Sequence, residues 1–325
     1  MQPLITILGP TACGKTAVAT QLAARLSIDA ASEQPVAEII SADSRQVFRG
    51  MDIGTGKDLV DYDVDISLAG ATHHLHIPYH LIDIAEAGTK YSVFDFQRDF
   101  TRAYNNITAR TRQPILCGGT GLYIESILRG YQLAEVPVDN ALRQRLEGKS
   151  LSELTAILAS YKRLHNTTDV DTARRAIRAI EIEEYYRRHG IAKQHETPPL
   201  KSLTCGLSIP RDLRRERISQ RLHRRLKDED MTGEVRRLID SGVAPEALLS
   251  YGLEYRYITL HLLGQLTFDE MARQLETAIH QFAKRQMTYF RGMERRGVDI
   301  TWIDATRPVA DIVADIISMT HDRLP

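Results

Sequence analysis

The chain has 325 residues, 43% hydrophobic and 26% charged, the balance of a soluble globular protein, with no internal repeat or low-complexity tract. No stretch reaches the roughly 20 apolar residues of a membrane helix, and the three scattered cysteines, Cys13, Cys117 and Cys205, form no Cys-x-x-Cys pair that would suggest a disulfide framework or a cysteine-built zinc site. Net charge is zero, yet positive charge is concentrated locally: residues 211–227 carry eight Lys or Arg against Asp212 and Glu216, a stripe that a phosphate backbone would feel.

The first residues run straight into an apolar segment with no charged leader region, the pattern expected of a cytoplasmic protein. Residues 4–9 read as a buried strand, followed by a glycine-rich turn and a helix over 15–26. Residues 37–42 (AEIISA) are a second buried run, 79–84 (YHLIDI) a short strand, 94–110 a helix, 114–119 (PILCGG) a strand ending in glycines, and 122–128 a helix. Strands alternating with helices predict an α/β fold with a parallel sheet covered on both faces. Between residues 131 and 200 the texture turns helical, with helices expected over 139–146, 151–161 and 171–188, closed by the breakers His189-Gly190 and Pro198-Pro199. Residues 203–209 and 298–304 read as core strands, and the rest of the C-terminal part as helical. The expected organisation is a core of residues 1–130 and 201–325 interrupted by a helical insertion over 131–200.

Gly9-Pro-Thr-Ala-Cys-Gly14-Lys15-Thr16 fits G-x-x-x-x-G-K-[ST] between a predicted strand and a predicted helix, the context this phosphate cradle requires. Glycines let backbone N–H groups turn inward around an anion, the helix N-terminus adds partial positive charge, Lys15 adds a point charge, and Thr16 can hold Mg2+. The motif points to a bound di- or triphosphate without naming its carrier. No apolar run closes on the second, metal-holding aspartate of a nucleoside triphosphatase; the nearest is Asp43, after Glu38-Ile-Ile-Ser-Ala.

Asp43-Ser44-Arg45-Gln46 follows the second strand, and in a parallel sheet ligands bind beyond the carboxyl ends of strands. Gly118-Gly119-Thr120 ends the third and permits close approach of a ligand. Asp43 reads equally as a helix cap, and Thr120 as a simple turn residue. His73, His74, His76 and His80 lack the companion ligands of a metal site.

Taken together, GPTACGKT, EIISADSRQVFRGMDIGTGK, YHLIDI, YSVFDF, PILCGGTGLY, GLSIPRDLRRERISQR and AKRQMTYFR resemble, in order and over nearly the whole chain, the tRNA dimethylallyltransferases. The resemblance implies a P-loop NTPase-like core with a helical, tRNA-binding insertion. It implies transfer of the dimethylallyl group of dimethylallyl diphosphate to N6 of adenosine 37, beside the anticodon. By the same resemblance Gly9, Thr11, Ala12, Cys13, Gly14, Lys15 and Thr16 hold the diphosphate, with Thr16 on Mg2+ and with Arg217, Arg221, Lys284 and Arg285 as further cations. Asp43 takes the adenine proton, and Thr120 and Arg221 complete the catalytic set. Ser44, Arg45, Gln46, Arg143, Arg174, Arg175, Arg178, Arg256 and Gln286 contact the tRNA anticodon stem-loop, as do Asp43 and Thr120. The implied enzyme is a monomer without a membrane partner. The flipped adenine needs planar neighbours, for which Phe48, Tyr123 and Arg45 are candidates.

Three positions depart from the pattern: Cys13 for a serine, Gly56-Lys57-Asp58 for Ala-Lys-Pro, and Glu254-Tyr255-Arg256 for Gly-Tyr-Lys or Gly-Tyr-Arg. A glutamate beside RNA is unfavourable unless it turns away. Outside the resemblance, a P-loop kinase of a small metabolite and a prenyltransferase of free adenine nucleotides share the phosphate cradle; the helical insertion favours a substrate larger than a nucleotide.

Overall fold

The structure is a computed structural model that describes residues 3–131, 133, 135–162, 170–190 and 200–323. The chain divides into two compact units, Met1–Gly130 with Pro199–Pro325, and Tyr131–Pro198. Among the described residues no helix is long and apolar enough to cross a membrane.

The first unit is built on a six-stranded parallel sheet. Its strands are β1 (Leu4–Leu8), β2 (Ala37–Ser41), β5 (Tyr79–His80), β6 (Gln113–Gly118), β7 (Ser202–Ser208) and β8 (Thr301–Asp304), in the order β5-β2-β6-β1-β7-β8. β1 (LITIL) is wholly buried and central, Ile5 facing Ile115 on one side and Leu203 on the other. A strand buried on both faces has to read as an unbroken apolar run, which is why this pentapeptide carries no alternation.

Side chains of β1 nevertheless part by the period of two. Ile5 and Ile7 join a core with α1 (Lys15–Asp29) and α12 (Val309–Arg323). Leu4 and Leu8 join a second core with α2 (Val93–Ala109), α3 (Gly121–Leu128) and the end of α11 (Phe268–Arg295). The first half of α11 enters a third core, with α7 (Arg211–Lys227), α8 (Met231–Asp240) and α10 (Leu253–Leu262), around Val47, Phe48 and Met51. Helix α9 (Pro245–Leu248) completes this region.

Two elements differ from expectation. The strand expected over 79–84 stops at His80, because Leu81 and Asp83 take left-handed backbone conformations, φ 63° and 55°. The antiparallel hairpin of β3 (Asp63–Leu68) and β4 (Ala71–His76) has no counterpart in the sequence reading. Its signal is present in Asp-Val-Asp-Ile-Ser-Leu: Val64 and Ile66 are buried against the α1 side of the sheet while Asp63 and Asp65 face out. Ala69 and Gly70, both at positive φ, make the turn.

The second unit packs α4 (Asn140–Leu146), α5 (Leu151–Tyr161) and α6 (Ala173–Arg188) around Leu142, Leu146, Leu154, Leu158, Ala176 and Ile180. The Pro198-Pro199 pair lies outside the described residues.

Candidate active site

The loop from Gly9 to Thr16 joins β1 to α1. Gly14 sits at φ 84° before the first helical residue, and Ala12 holds φ 64°, a conformation that costs a side-chain-bearing residue free energy. No side chain caps α1, so its first N–H groups face the loop interior. Lys15 is folded back: its Nζ donates to Pro10 O at 2.8 Å and lies 3.9 Å from Cys13 Sγ. Cys13 is buried and its thiol also points to Pro10 O. The departure from serine therefore places a small polar group inside the loop wall.

Two distant residues hold this loop. Gln286 Oε1 accepts from Thr11 N at 2.9 Å while its Nε2 donates to Gly119 O at 3.0 Å. Arg221 donates to Thr11 Oγ1. Gln286 lies on α11 where that helix passes from the third core to the second, between Ala283 and Phe290, which fixes its buried side chain against both loops. Its hydrogen-bonding groups are thus committed inside the protein, where the sequence reading had it contacting RNA.

The strands on the other flank bring Asp43 and Thr120 together. Ala42 follows β2 and Gly119 follows β6; Thr120 N donates to Ala42 O at 3.1 Å, and Ser44 N donates to Thr120 Oγ1 at 3.0 Å. The backbones approach so closely that a Cβ on Gly118 would lie 2.3 Å from Ala42 O, which only glycine permits. Asp43 Oδ1 accepts from Arg45 N at 2.9 Å in a local turn. Among the described residues no cation lies within ion-pair distance of Asp43, and its Oδ2 is free to act.

Arg45 is half-buried. Burial lowers its guanidinium from the usual range, and Asp43, Tyr123, Tyr251 and Glu254 partly restore it. Gln46 is tied inward, accepting from Ser41 Oγ at 2.8 Å and donating to Gly56 O at 3.0 Å. Phe48 and Tyr123 are core residues: Phe48 packs on Tyr251 at 4.5 Å, and Tyr123 stacks on Phe96 at 4.2 Å. Neither presents a free face for a base, so of the three stacking candidates Arg45 alone remains.

The segment after Gly50 is clamped from outside by a residue the sequence did not single out, and from within by Lys57. Glu234 is buried and accepts from the backbone N–H of Asp52 (2.9 Å), Ile53 (2.7 Å) and Gly54 (3.1 Å), and from Tyr255 Oη at 2.6 Å. Lys57 is 1% exposed and donates to Phe48 O, Asp52 and Asp83. The Gly-Lys-Asp departure is therefore an internal anchor, with Asp58 accepting two bonds from buried Arg225 at 3.1 Å each.

Arg221 carries a guanidinium pushed down to about 10 by burial and by neighbouring Arg225. Arg217 is half-buried on the same helix. Glu254 points into the small space among Ile218, Arg221, Arg225 and Met231, and burial raises its carboxyl above the usual range despite the two arginines. It turns inward, away from solvent. Arg256, Lys284 and Arg285 are exposed, Arg285 lying 6.0 Å from the Phe282 ring.

In the second unit Arg143 donates twice to Glu181, at 3.0 and 2.9 Å, and Arg178 donates to Glu181 and to Val136 O at 2.8 Å. Arg175 pairs with Asp171. Arg174 is exposed and, among the described residues, has no partner. His80 bonds buried Glu38 at 2.7 Å, beside Arg110 and Arg112, which is a structural cluster. Among the described residues no group of three His, Cys, Asp or Glu could by itself hold a metal ion.

A family model described as IPP transferase matches residues 46–293. The chain is 57% identical to tRNA dimethylallyltransferase 2 of Phocaeicola vulgatus over 98% of both chains. It is 56% identical to tRNA dimethylallyltransferase 1 of Parabacteroides distasonis, over 99% of this chain and 98% of the other. Its fold matches the crystal structure of the full-length tRNA isopentenylpyrophosphate transferase of Bacillus halodurans with a TM-score of 0.67 at 29% identity, covering 100% and 97% of the two chains. A eukaryotic dimethylallyltransferase solved with tRNA shares the fold, TM-score 0.72 at 19% identity, over 99% of this chain and 79% of that one.

Proposed function

The chain belongs to the IPP transferase family, and from that membership we propose that it transfers the dimethylallyl group of dimethylallyl diphosphate to N6 of adenosine 37 of tRNA, releasing diphosphate. The observation that carries the reading is the adjacency of two chemically opposite groups. A carboxylate with no cation within ion-pair distance among the described residues, Asp43, stands just past the end of β2. A cationic phosphate loop stands at the end of β1. β6, with Thr120 beyond it, lies between them.

The exocyclic amine of adenine is a weak nucleophile because its lone pair is delocalised into the ring. As N6 bonds to the allylic carbon, the C–O bond to diphosphate breaks and the amine must lose a proton. Asp43 Oδ2 is the acceptor. Such general-base help contributes roughly 10²–10⁴-fold. The leaving diphosphate gathers negative charge, and the loop N–H groups, Lys15 and Arg221 meet that charge most strongly in the transition state. Lys15 donates one N–H to Pro10 O, which leaves two of its three donors for the phosphate.

The residues present fit Mg2+. Among the described residues the Thr16 hydroxyl makes no hydrogen bond, and Mg2+ characteristically takes one or two protein oxygens together with phosphate oxygens and water. Bound at Thr16, the ion would offset charge on the diphosphate. Gln286 and Arg221 set the position of Thr11, while Ser44 and Thr120 set that of Asp43. Arg45 offers a planar face to an extruded base, and Arg174 a free charge to the RNA backbone. The reading carries with it a cytoplasmic, monomeric enzyme.

Incubation with labelled dimethylallyl diphosphate and unmodified tRNA, followed by nucleoside analysis, tests this. The expected product is N6-isopentenyladenosine, formed without ATP. Phosphate transfer from ATP with no RNA requirement would overturn it.

A further inference from the structure

A cavity of about 570 Å³ opens beyond the carboxyl end of β7, within the usual size range of small-molecule sites. Arg211 and Arg214, from the first turn of α7, and Lys284 and Arg291, two turns apart on α11, line it together with Thr288. Among the described residues none of the four cations has a hydrogen bond or an ion pair. Asp304 is the acid in the wall, and its Oδ1 is occupied by Thr306 N at 2.9 Å. Four like charges gathered around one acid repel one another, and burial, opposed by Cys13 and reinforced by Arg211 and Arg291, lowers the Arg214 guanidinium from its usual range. The N-cap of α7 is Pro210, which makes no side-chain cap, so the N–H groups of this first turn add to the same field.

A solvated face of surface cations explains single exposed arginines well. It does not explain why four converge on one concavity while arginines elsewhere, such as Arg110, Arg143 and Arg225, are each matched to a carboxylate.

The geometry points to a second anion site in this cavity, flanking the phosphate loop and suited to a diphosphate group; it takes in Lys284, which the resemblance gave to the loop's own diphosphate. Leu8 pairs with Gly206, so Ser208 at the cavity wall lies beside the start of the loop. The cavity flanks the loop on the β7 side; Asp43 and Thr120 lie on the opposite side, at β2 and β6. The site therefore stands where a diphosphate group goes when it leaves the loop or arrives at it away from the nucleophile. Only the identity of the anion rests on the transferase reading. The existence of the site rests on the four cations.

Calorimetric titration with inorganic diphosphate tests it. Two diphosphates per chain are expected for the unaltered protein, one for Lys15→Ala, and one for Arg214→Ser with Arg291→Ser. In that double variant the weaker affinity should fall by at least tenfold. Arg214→Lys with Arg291→Lys should restore the second equivalent, which a merely misfolded variant would not do. A single equivalent in the unaltered protein, or two in the serine variant, overturns the proposal. Repeating the titration with dimethylallyl diphosphate separates the sources: a second equivalent assigns the cavity to the arriving donor as well, and its absence assigns it to the departing product. Failure of prenyl transfer in the unaltered protein would sink the transferase reading and leave these stoichiometries standing.

Discussion

The Ser44 amide donates to the Thr120 hydroxyl at 3.0 Å, joining residues 76 positions apart in the chain. With the bond from Thr120 N to Ala42 O, this one holds the loop bearing Asp43 against the loop that ends β6, and it is the one that needs the hydroxyl. Thr120→Val keeps the shape and removes the acceptor, leaving a half-buried amide unpaired at a cost of about 1–3 kcal/mol. A base displaced by 1 Å loses on the order of 10²-fold in rate. The expected outcome is a fall in kcat of that order with Thr120→Val and near-normal turnover with Thr120→Ser, measured by single-turnover prenyl transfer.

Asp43→Ala should lower kcat by roughly 10²–10⁴-fold while leaving tRNA affinity within a few-fold. Filter binding and rapid-quench kinetics on the same preparation separate the two. A variant with nearly full turnover would show that Asp43 is not the proton acceptor.

Glu234 satisfies three backbone amides that lie 180 to 182 residues away in the chain, and the hydroxyl of Tyr255, 21 residues away. Glu234→Ala strands all four donors. Hydrogen bonds to a charged group contribute about 1.5–3 kcal/mol each, and relaxation recovers part of the sum, so a loss of at least about 3 kcal/mol is expected in urea denaturation. Glu234→Gln, which keeps one acceptor oxygen, should lose less.

Burial raises the carboxyl of Glu254 by more than Arg221 and Arg225 lower it. A raised carboxylate pKa means the folded chain holds its proton where the unfolded chain has released it. Stability from this group therefore falls as pH rises from the ordinary carboxylate range through the folded-state pKa. Glu254→Gln removes that dependence. Melting temperatures of the two proteins should be alike below the ordinary carboxylate range, diverge as pH rises from there through the raised folded-state pKa and stay apart above it, with the glutamine variant the more stable. A glutamate form more stable at pH 8 would contradict the burial account.

Of the four second-unit arginines expected to meet RNA, Arg143, Arg174, Arg175 and Arg178, only Arg174 lacks a partner among the described residues. Arg174→Ala should reduce the slope of log Kd against log salt for tRNA by roughly 0.7–0.9, one phosphate contact, with no change in melting temperature. Arg143→Ala should act differently. It strips two hydrogen bonds from buried Glu181 and should destabilise the second unit, seen as earlier proteolysis within residues 131–198.

What the sequence disclosed was mostly local. The phosphate loop, Asp43 and Thr120 follow directly on their strands, and turn chemistry within a few residues announces them. Glu234 and Arg225 gave no such signal, and Gln286 was legible through the resemblance but not as the tie between two loops, because their partners lie about 170 to 280 residues away and only the folded sheet brings them together. The strand expected at 79–84 failed for a related reason. Nothing in Tyr-His-Leu-Ile-Asp-Ile foretells left-handed conformations at Leu81 and Asp83, which arise where Asp83 N reaches Gln46 O and its carboxylate meets Lys57. Arg178 was legible as a charge on a helix face but not as the partner of Glu181, three residues on.

The central place of β1 has a consequence for biosynthesis. Its partner β6 ends at Gly118, but β7 does not begin until Ser202. At translation rates of about 5–20 residues per second, the nascent chain carries the apolar ribbon Leu-Ile-Thr-Ile-Leu with one unpaired edge for several seconds. Exposed edges of this composition template wrong pairings with other chains. Cells making this protein at high level should need holdase protection during that interval, and codons that slow the ribosome between residues 119 and 202 should lower soluble yield.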